Sequence, residues 1–307
     1  MELKKVLEEN RLALGTMVFG WKTSYDEALN LFKIALDNNI KLIDTSVSYG
    51  QGKSHEIIGK CLQKIKNRHF FYIATKVGGN SGVIDQDYAS GYRFKTIINQ
   101  CNLSLKQLKT DYIDLLQLHY PTEEVSYEEM YAALLHLKKV GKVKRIGVSN
   151  YLPEDISDFE RSCNIKNGYL SNQIEVNILK QDNLINLKKN KIKRINLAYA
   201  LLCGGILKKQ IIEDKDFIKK NLYNRKDCQY KYYLLQQNKT KQKLELLTDL
   251  SHKLNIDPLY LAIIWVYGQK EIDGIILGPS NQEQLKDLLK IISYEVKMEI
   301  LNEFNDN

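Results

Sequence analysis

No two cysteines of this chain are spaced as C-x-x-C. The five present, Cys61, Cys101, Cys163, Cys203 and Cys228, are odd in number and scattered, so neither a metal site nor a disulfide framework is indicated. No apolar run approaches the roughly 20 residues of a membrane span. Met1 leads into Glu2-Leu3-Lys4-Lys5 with no apolar segment behind it, so no secretory signal is expected. Only four prolines occur, none marks a hinge, and no Pro/Gly/Ser-rich linker divides the chain. The expectation is one domain over residues 1–307, soluble and cytoplasmic. A complete G-x-G-x-x-G is also missing. Gly50-Gln51-Gly52 begins one, but His55 stands where the last glycine would fall, and the segment reads as a loop.

Charge excludes little. The formal net charge is +8. Its lysines, such as Lys138, Lys139, Lys142 and Lys144, are scattered and read as solvated helix faces. They are not interleaved with an aromatic stacking platform, so nucleic acid is not an expected partner.

What the chain does contain is a repeating alternation. With 307 residues and a hydrophobic fraction of 44%, it suits one α/β barrel, which typically needs about 250 residues. Strands are expected at Leu12–Met17, Lys41–Thr45, Phe70–Val77, Ile113–His119, Val143–Ser149, Leu170–Val176, Ile195–Ala200 and Gly274–Leu277. Between them, Tyr25–Asn38, Tyr92–Leu108, Tyr127–Lys139 and Glu283–Ile291 show helical i, i+3, i+4 spacing. Eight β-then-α units predict a parallel, closed (β/α)8 barrel with outer helices, a doubly wound open sheet being the alternative. After the seventh strand, the connection Leu201–Asp273 is unusually long, polar and tyrosine-rich at first. Helical periodicity then resumes at Lys241–Leu254 and Pro258–Tyr267. The segment 208–238 is expected to form a flap that orders on binding.

On the barrel reading, the chemistry-bearing residues gather at one end. Asp44 and Tyr49 follow the second strand, Lys76 ends the third and His119 the fourth. That is the face where such barrels carry their sites. A carboxylate, a phenol, an ammonium and an imidazole together make a proton-donating site. The lysine cation is expected to lower the phenol pKa, with the carboxylate holding it charged.

These residues resemble the aldo-keto reductase superfamily over nearly the whole chain. The motifs run in order: Leu14-Gly15-Thr16-Met17, Asp44-Thr45 with Tyr49-Gly50, Thr75-Lys76, Leu118-His119, Gly147-Val148-Ser149-Asn150, Asn172-Gln173, Ala198-Tyr199, and Gly278-Pro279-Ser280 with Gln284. Surroundings of Trp21, Asp44 and Tyr49 are similar to the branch of potassium-channel β-subunit-like and sugar-modifying reductases. The resemblance implies an NAD(P)H-dependent reductase of aldehydes or ketones, acting on a small-molecule carbonyl. Tyr49 would be the general acid, Lys76 its perturber, Asp44 the partner of Lys76, and His119 the group that orients the carbonyl.

The resemblance also implies a cofactor-binding set. Ser149, Asn150 and Gln173 would hold the nicotinamide carboxamide, and the ring of Tyr199 would stack on it, with Thr16 and Asp44 nearby. Gly204, Gly205 and Leu207 would approach the pyrophosphate, and Gly278, Ser280 and Gln284 the adenosine end. Other readings stay open: Ser149-Asn150 as a helix N-cap, Tyr199 as barrel core, Gln284 as a solvated helix residue.

Departures exist. Ala200-Leu201 stand where relatives commonly have Ser-Pro, and Leu288 where an adenine-contacting Asn is usual. No Arg or Lys lies in Gly278–Gln284, so the expected preference for NADPH, with NADH possible, rests on Ser280, Asn281 and Arg225. A nucleotide-sugar keto or enoyl reductase is the alternative within the class. A cofactor-binding regulatory subunit with incidental turnover is the alternative outside it. Substrate, direction and oligomeric state are left open.

Overall fold

The computed structural model describes residues 2–79, 91–207, 235–294 and 296–305. Eight strands form one closed barrel in sequence order, every neighbouring pair parallel. They are β1 (Leu12–Gly15), β2 (Leu42–Asp44), β3 (Tyr72–Val77), β4 (Ile113–Leu118), β5 (Val143–Ser149), β6 (Ser171–Glu175), β7 (Asn196–Tyr199) and β8 (Gly274–Leu277). The closed barrel replaces the open-sheet alternative. Several strands end one or two residues short of the apolar runs. Met17, Thr45, His119 and Ala200 therefore lie just beyond their strands, in the loops that build the mouth.

Helices α1 (Leu3–Glu9), α2 (Tyr25–Asp37), α3 (Lys53–Ile65), α4 (Phe94–Leu108), α5 (Tyr127–Lys139), α6 (Pro153–Ser162) and α7 (Asp182–Lys189) come first. After β7 follow α8 (Asn238–Leu254), α9 (Pro258–Tyr267), α10 (Gln282–Leu289) and the short α11 (Met298–Leu301). Local chemistry sets several starts. Ser24 and Ser126 cap α2 and α5 by accepting the N–H groups of Glu27 and Glu129. Asp257 caps α9 through Leu259, with Pro258 in the first turn, where its missing N–H costs nothing. Among the described residues no helix is long and apolar enough to cross a membrane.

Side chains alternate along each strand between the helix layer and the lumen. Leu42, Tyr72, Ala74, Leu115, Leu197 and Ile276 pack inside with Leu3, Val6 and Leu7 of α1, so α1 forms the floor. Higher up, the inward positions turn polar: Asp44, Lys76, Gln117, Ser149 and Gln173 are all buried. Register pairs Lys76 with Gln117 and Ser149 with Gln173. The apolar lower lumen thus supports a polar upper layer at the C-terminal ends of the strands.

Candidate active site

Asp44 closes β2 with only 3% of its surface exposed. Its Oδ1 accepts from Lys76 Nζ at 2.7 Å and from Gln173 Nε2 at 2.7 Å, and its Oδ2 from Lys76 at 2.9 Å. Lys76, 1% exposed, also donates to the Thr45 carbonyl at 3.0 Å and to the Tyr49 hydroxyl at 3.2 Å. Only an ammonium has protons for carboxylate, carbonyl and phenol together. Burial lowers the Lys76 pKa, and the adjacent Asp44 charge opposes the fall without cancelling it.

Tyr49 opens a short 3-10 turn, Tyr49–Gly52, in which Gly50 (φ 58°) and Gln51 (φ 56°) are left-handed. A Cβ on Gly50 would stand 2.9 Å from the Phe19 carbonyl oxygen, so the loop after β2 closes against the loop after β1 only with glycine there. The pKa of Tyr49 corrects the expectation. Burial pushes the phenol well above its ordinary value, and the Asp44 charge adds to the rise. The phenol therefore keeps its proton at neutral pH.

His119 follows β4, anchored by its N–H on the Val77 carbonyl at 2.9 Å. Its ring stacks on Tyr120, centroids 4.5 Å apart, and meets Tyr49 edge-on at 6.2 Å. Nδ1 lies 3.4 Å from Ser46 Oγ. Burial, aided by the Lys76 charge, lowers its pKa to about 3. The imidazole is therefore neutral and offers an N–H as a hydrogen-bond donor. Tetrad members Asp44, Tyr49, Lys76 and His119 are all brought together.

The remaining residues divide. Thr16 is fully buried. Its hydroxyl donates to the Asp44 carbonyl at 2.9 Å and receives Ser54 Oγ at 3.0 Å. Its hydroxyl thereby holds the backbone at Asp44. Ser149 Oγ donates to the Gln173 carbonyl at 3.0 Å.

Asn150, left-handed at φ 65°, donates to the His119 carbonyl at 3.0 Å and accepts the Tyr199 hydroxyl at 2.6 Å. The N-cap of α6 is Leu152, so Ser149-Asn150 do not cap that helix. Tyr199 is partly buried and packs against the apolar cluster inside the barrel, with part of its surface left open. Gly204 (φ 64°) and Gly205 (φ 95°) turn the chain after β7, while the Leu207 side chain is buried in the core.

At the β8–α10 turn Gly278 is open on its Cβ side. Gln284 is exposed, and its Oε1 accepts both the N–H and the hydroxyl of Ser280, at 2.9 and 3.0 Å. Leu288 is buried, and Asp287 pairs with Lys290 at 2.7 Å. Arg225 lies outside the described residues, as does most of the expected 208–238 flap, residues 208–234.

Sequence reasoning missed the Gln173–Asp44 bond, the stacking of Tyr120 on His119, and Asn177, whose side chain bridges the loops after β6 and β7. Tyr120 follows His119 directly, which was a readable signal. The other two depend on register across the barrel and carried none. Beside His119 opens a cleft of about 310 Å³ lined by Gly78, Gly79, Tyr92, Tyr120, Thr122 and Glu124. Met17, Trp21 and Tyr120 stand 60%, 61% and 50% exposed at the same end of the barrel.

Comparison with known proteins agrees with this architecture. The family model described as aldo/keto reductase family matches residues 11–306. The chain is 29% identical to the aldo-keto reductase YhdN of Bacillus subtilis, over 97% of this chain and 90% of that protein. It is 27% identical to the protein tas of Escherichia coli, over 97% and 93%. A candidate voltage-gated potassium channel subunit beta of Schizosaccharomyces pombe is 26% identical over 94% and 87%. Among solved structures, a thermostable aldo-keto reductase, Tm1743, in complex with the inhibitor epalrestat superposes with a TM-score of 0.73. At 21% identity, covering 96% of this chain and 95% of that one, it speaks to the fold alone. A (β/α)8 barrel with this match over nearly its full length belongs to the aldo/keto reductase family.

Proposed function

We propose that the protein is an NAD(P)H-dependent reductase of aldehydes or ketones, and that Tyr49 delivers the proton. The observation that carries this reading is the hydrogen bond from Lys76 Nζ to the Tyr49 oxygen at 3.2 Å. Because the lysine donates, the phenol accepts on its oxygen and its own proton is free to point away. The raised phenol pKa keeps that proton in place until the substrate's carbonyl oxygen gains alkoxide character and becomes the stronger base. As charge then develops on the phenol oxygen, the buried ammonium stabilises it, with the Asp44 carboxylate fixing the ammonium. Neutral His119 donates to the carbonyl oxygen of the substrate and orients it.

A nicotinamide cofactor fits the residues around the tetrad. Amide and hydroxyl groups of Asn150, Gln173 and Ser149 suit a carboxamide, and the partly exposed ring of Tyr199 suits a flat heterocycle. Gly204 and Gly205 carry no side chain to keep an anion away from the turn after β7, whose Gly205 N–H donates to the Leu202 carbonyl at 2.8 Å. When bound and reduced, such a cofactor supplies the hydride. The Asp44 bond to Gln173 Nε2 leaves Gln173 Oε1 as the end of that amide available to a carboxamide NH2. Met17, Trp21 and Tyr120 favour an apolar or aromatic substituent on the carbonyl.

An intact tetrad supports turnover over a purely regulatory role, since binding alone needs neither Tyr49 nor Lys76. Steady-state oxidation of NADPH with a panel of simple aldehydes and ketones tests the reading. Aldehyde-dependent turnover is expected, and a protein that binds NADPH but never oxidises it would refute the enzymatic assignment.

A further inference from the structure

The turn after β7 passes through backbone conformations that L-residues avoid. Ala200 sits at φ 55° and Cys203 at φ 48°, followed by Gly204 and Gly205. For the glycines this is free of strain. For Ala200 and Cys203 the Cβ crowds the following carbonyl, and such strain persists only where the surroundings over-determine it. Both strained residues touch one side chain. Asn177, fully buried just past β6, donates from Nδ2 to the Ala200 carbonyl at 3.2 Å and accepts the Cys203 thiol on Oδ1 at 2.7 Å. The same oxygen accepts the N–H groups of Leu179 and Lys180 at 3.1 and 2.9 Å, which fixes which way the amide faces. Backbone bonds run both ways between Asn177 and Lys180, at 3.3 and 3.1 Å. Asn177 therefore grips the β7 turn from a closed turn of its own.

We propose that Asn177 is the positioning residue that holds the Ala200–Gly205 turn in the shape that receives the cofactor's diphosphate. This rests on the cofactor reading above. In this chain Ala200-Leu201 offer no proline ring to pre-set the backbone, and the clamp takes that part. Fully buried, Asn177 acts through the turn and does not touch the cofactor.

The test compares variants by cofactor affinity, turnover and thermal unfolding. Asn177→Ala should raise the Kd of NADPH and of NADH by the same factor, about tenfold, because the diphosphate is common to both. Turnover at saturating cofactor should stay within about twofold, because the tetrad is untouched. Adding Ala200→Gly to that variant should bring both Kd values back to within about threefold, since glycine holds a left-handed backbone unaided. Cys203→Ala removes the thiol's bond to Asn177 and should raise both constants about threefold, which keeps the test alive should Asn177→Ala not fold. Lower thermal stability with unchanged affinities in these variants would leave Asn177 a merely structural residue and overturn the proposal. So would a fall in turnover at unchanged Kd. Wild-type protein that binds neither dinucleotide would overturn the cofactor reading together with this one, whereas wild-type that binds while the variants bind equally well overturns this one alone.

Discussion

Lys76 is the residue on which the site turns. Its ammonium has three protons, and Asp44, the Thr45 carbonyl and the Tyr49 oxygen accept them. Remove the ammonium and the phenol loses the charge that would steady its conjugate base. Lys76→Met is expected to slow carbonyl reduction by at least about a hundredfold and to move the phenol limb of the pH–rate profile upward. A folded, cofactor-binding variant with an unchanged profile would contradict the arrangement. Tyr49→Phe removes the proton and keeps the ring. It should cost about 10²–10⁴-fold in turnover with the Kd for NADPH within about twofold. Retention of more than about a tenth of wild-type activity would assign the acid elsewhere. Neutral His119, with its pKa lowered to about 3, should contribute no inflection near pH 6.5.

At the scale of elements, the strands were legible because apolar runs such as Ile113–Leu118 are buried along their whole length, and a parallel barrel covers both faces of each strand. The floor was not. α1 has seven residues, too few to stand out, though Leu3, Val6 and Leu7 keep helical spacing. Asp44, Lys76 and His119 were readable because each interrupts or follows an apolar run at the same strand end. The Asn177 clamp and the Gln173–Asp44 bond were not, because they join residues that only barrel closure brings together. The raised Tyr49 pKa was also hidden, since its sign depends on burial and not on the neighbouring cation alone.

The β8–α10 turn carries a prediction of its own. Ser280 and Gln284 bond each other, and Asn281 caps α10 through Gln284 N–H at 2.9 Å. These are neutral groups, and strong selection of a 2′-phosphate needs cations, best a bidentate arginine. Discrimination between NADPH and NADH should therefore be modest, below about tenfold in Kd and in favour of NADPH. Titration of both cofactors measures it, and NADH binding at least as tightly would reverse the preference.

Over the whole molecule, two buried imidazoles set the response to acid. His55 is fully buried, its Nε2 2.8 Å from Thr75 Oγ1, and burial lowers its pKa to about 3. His119 is lowered to a similar value, chiefly by burial. The unfolded chain binds these protons near pH 6.5, while the folded chain refuses them until far lower. Between those values the unfolded state holds more protons, so stability falls as pH falls. It is complete above about pH 6.5, and each histidine removes about 1.4 kcal/mol per pH unit below it. Carboxylates with lowered pKa values, such as Glu9 and Glu129, act only nearer their ordinary range, which leaves pH 5 to 6.5 to the histidines. Urea unfolding across that window should show the decline, and His55→Gln, which keeps a polar partner for Thr75, should reduce its slope by about 1.4 kcal/mol per unit. Equal slopes for the two proteins would mean that His55 accepts its proton in the folded state, and that the barrel wall around it opens to water far more readily than its packing implies.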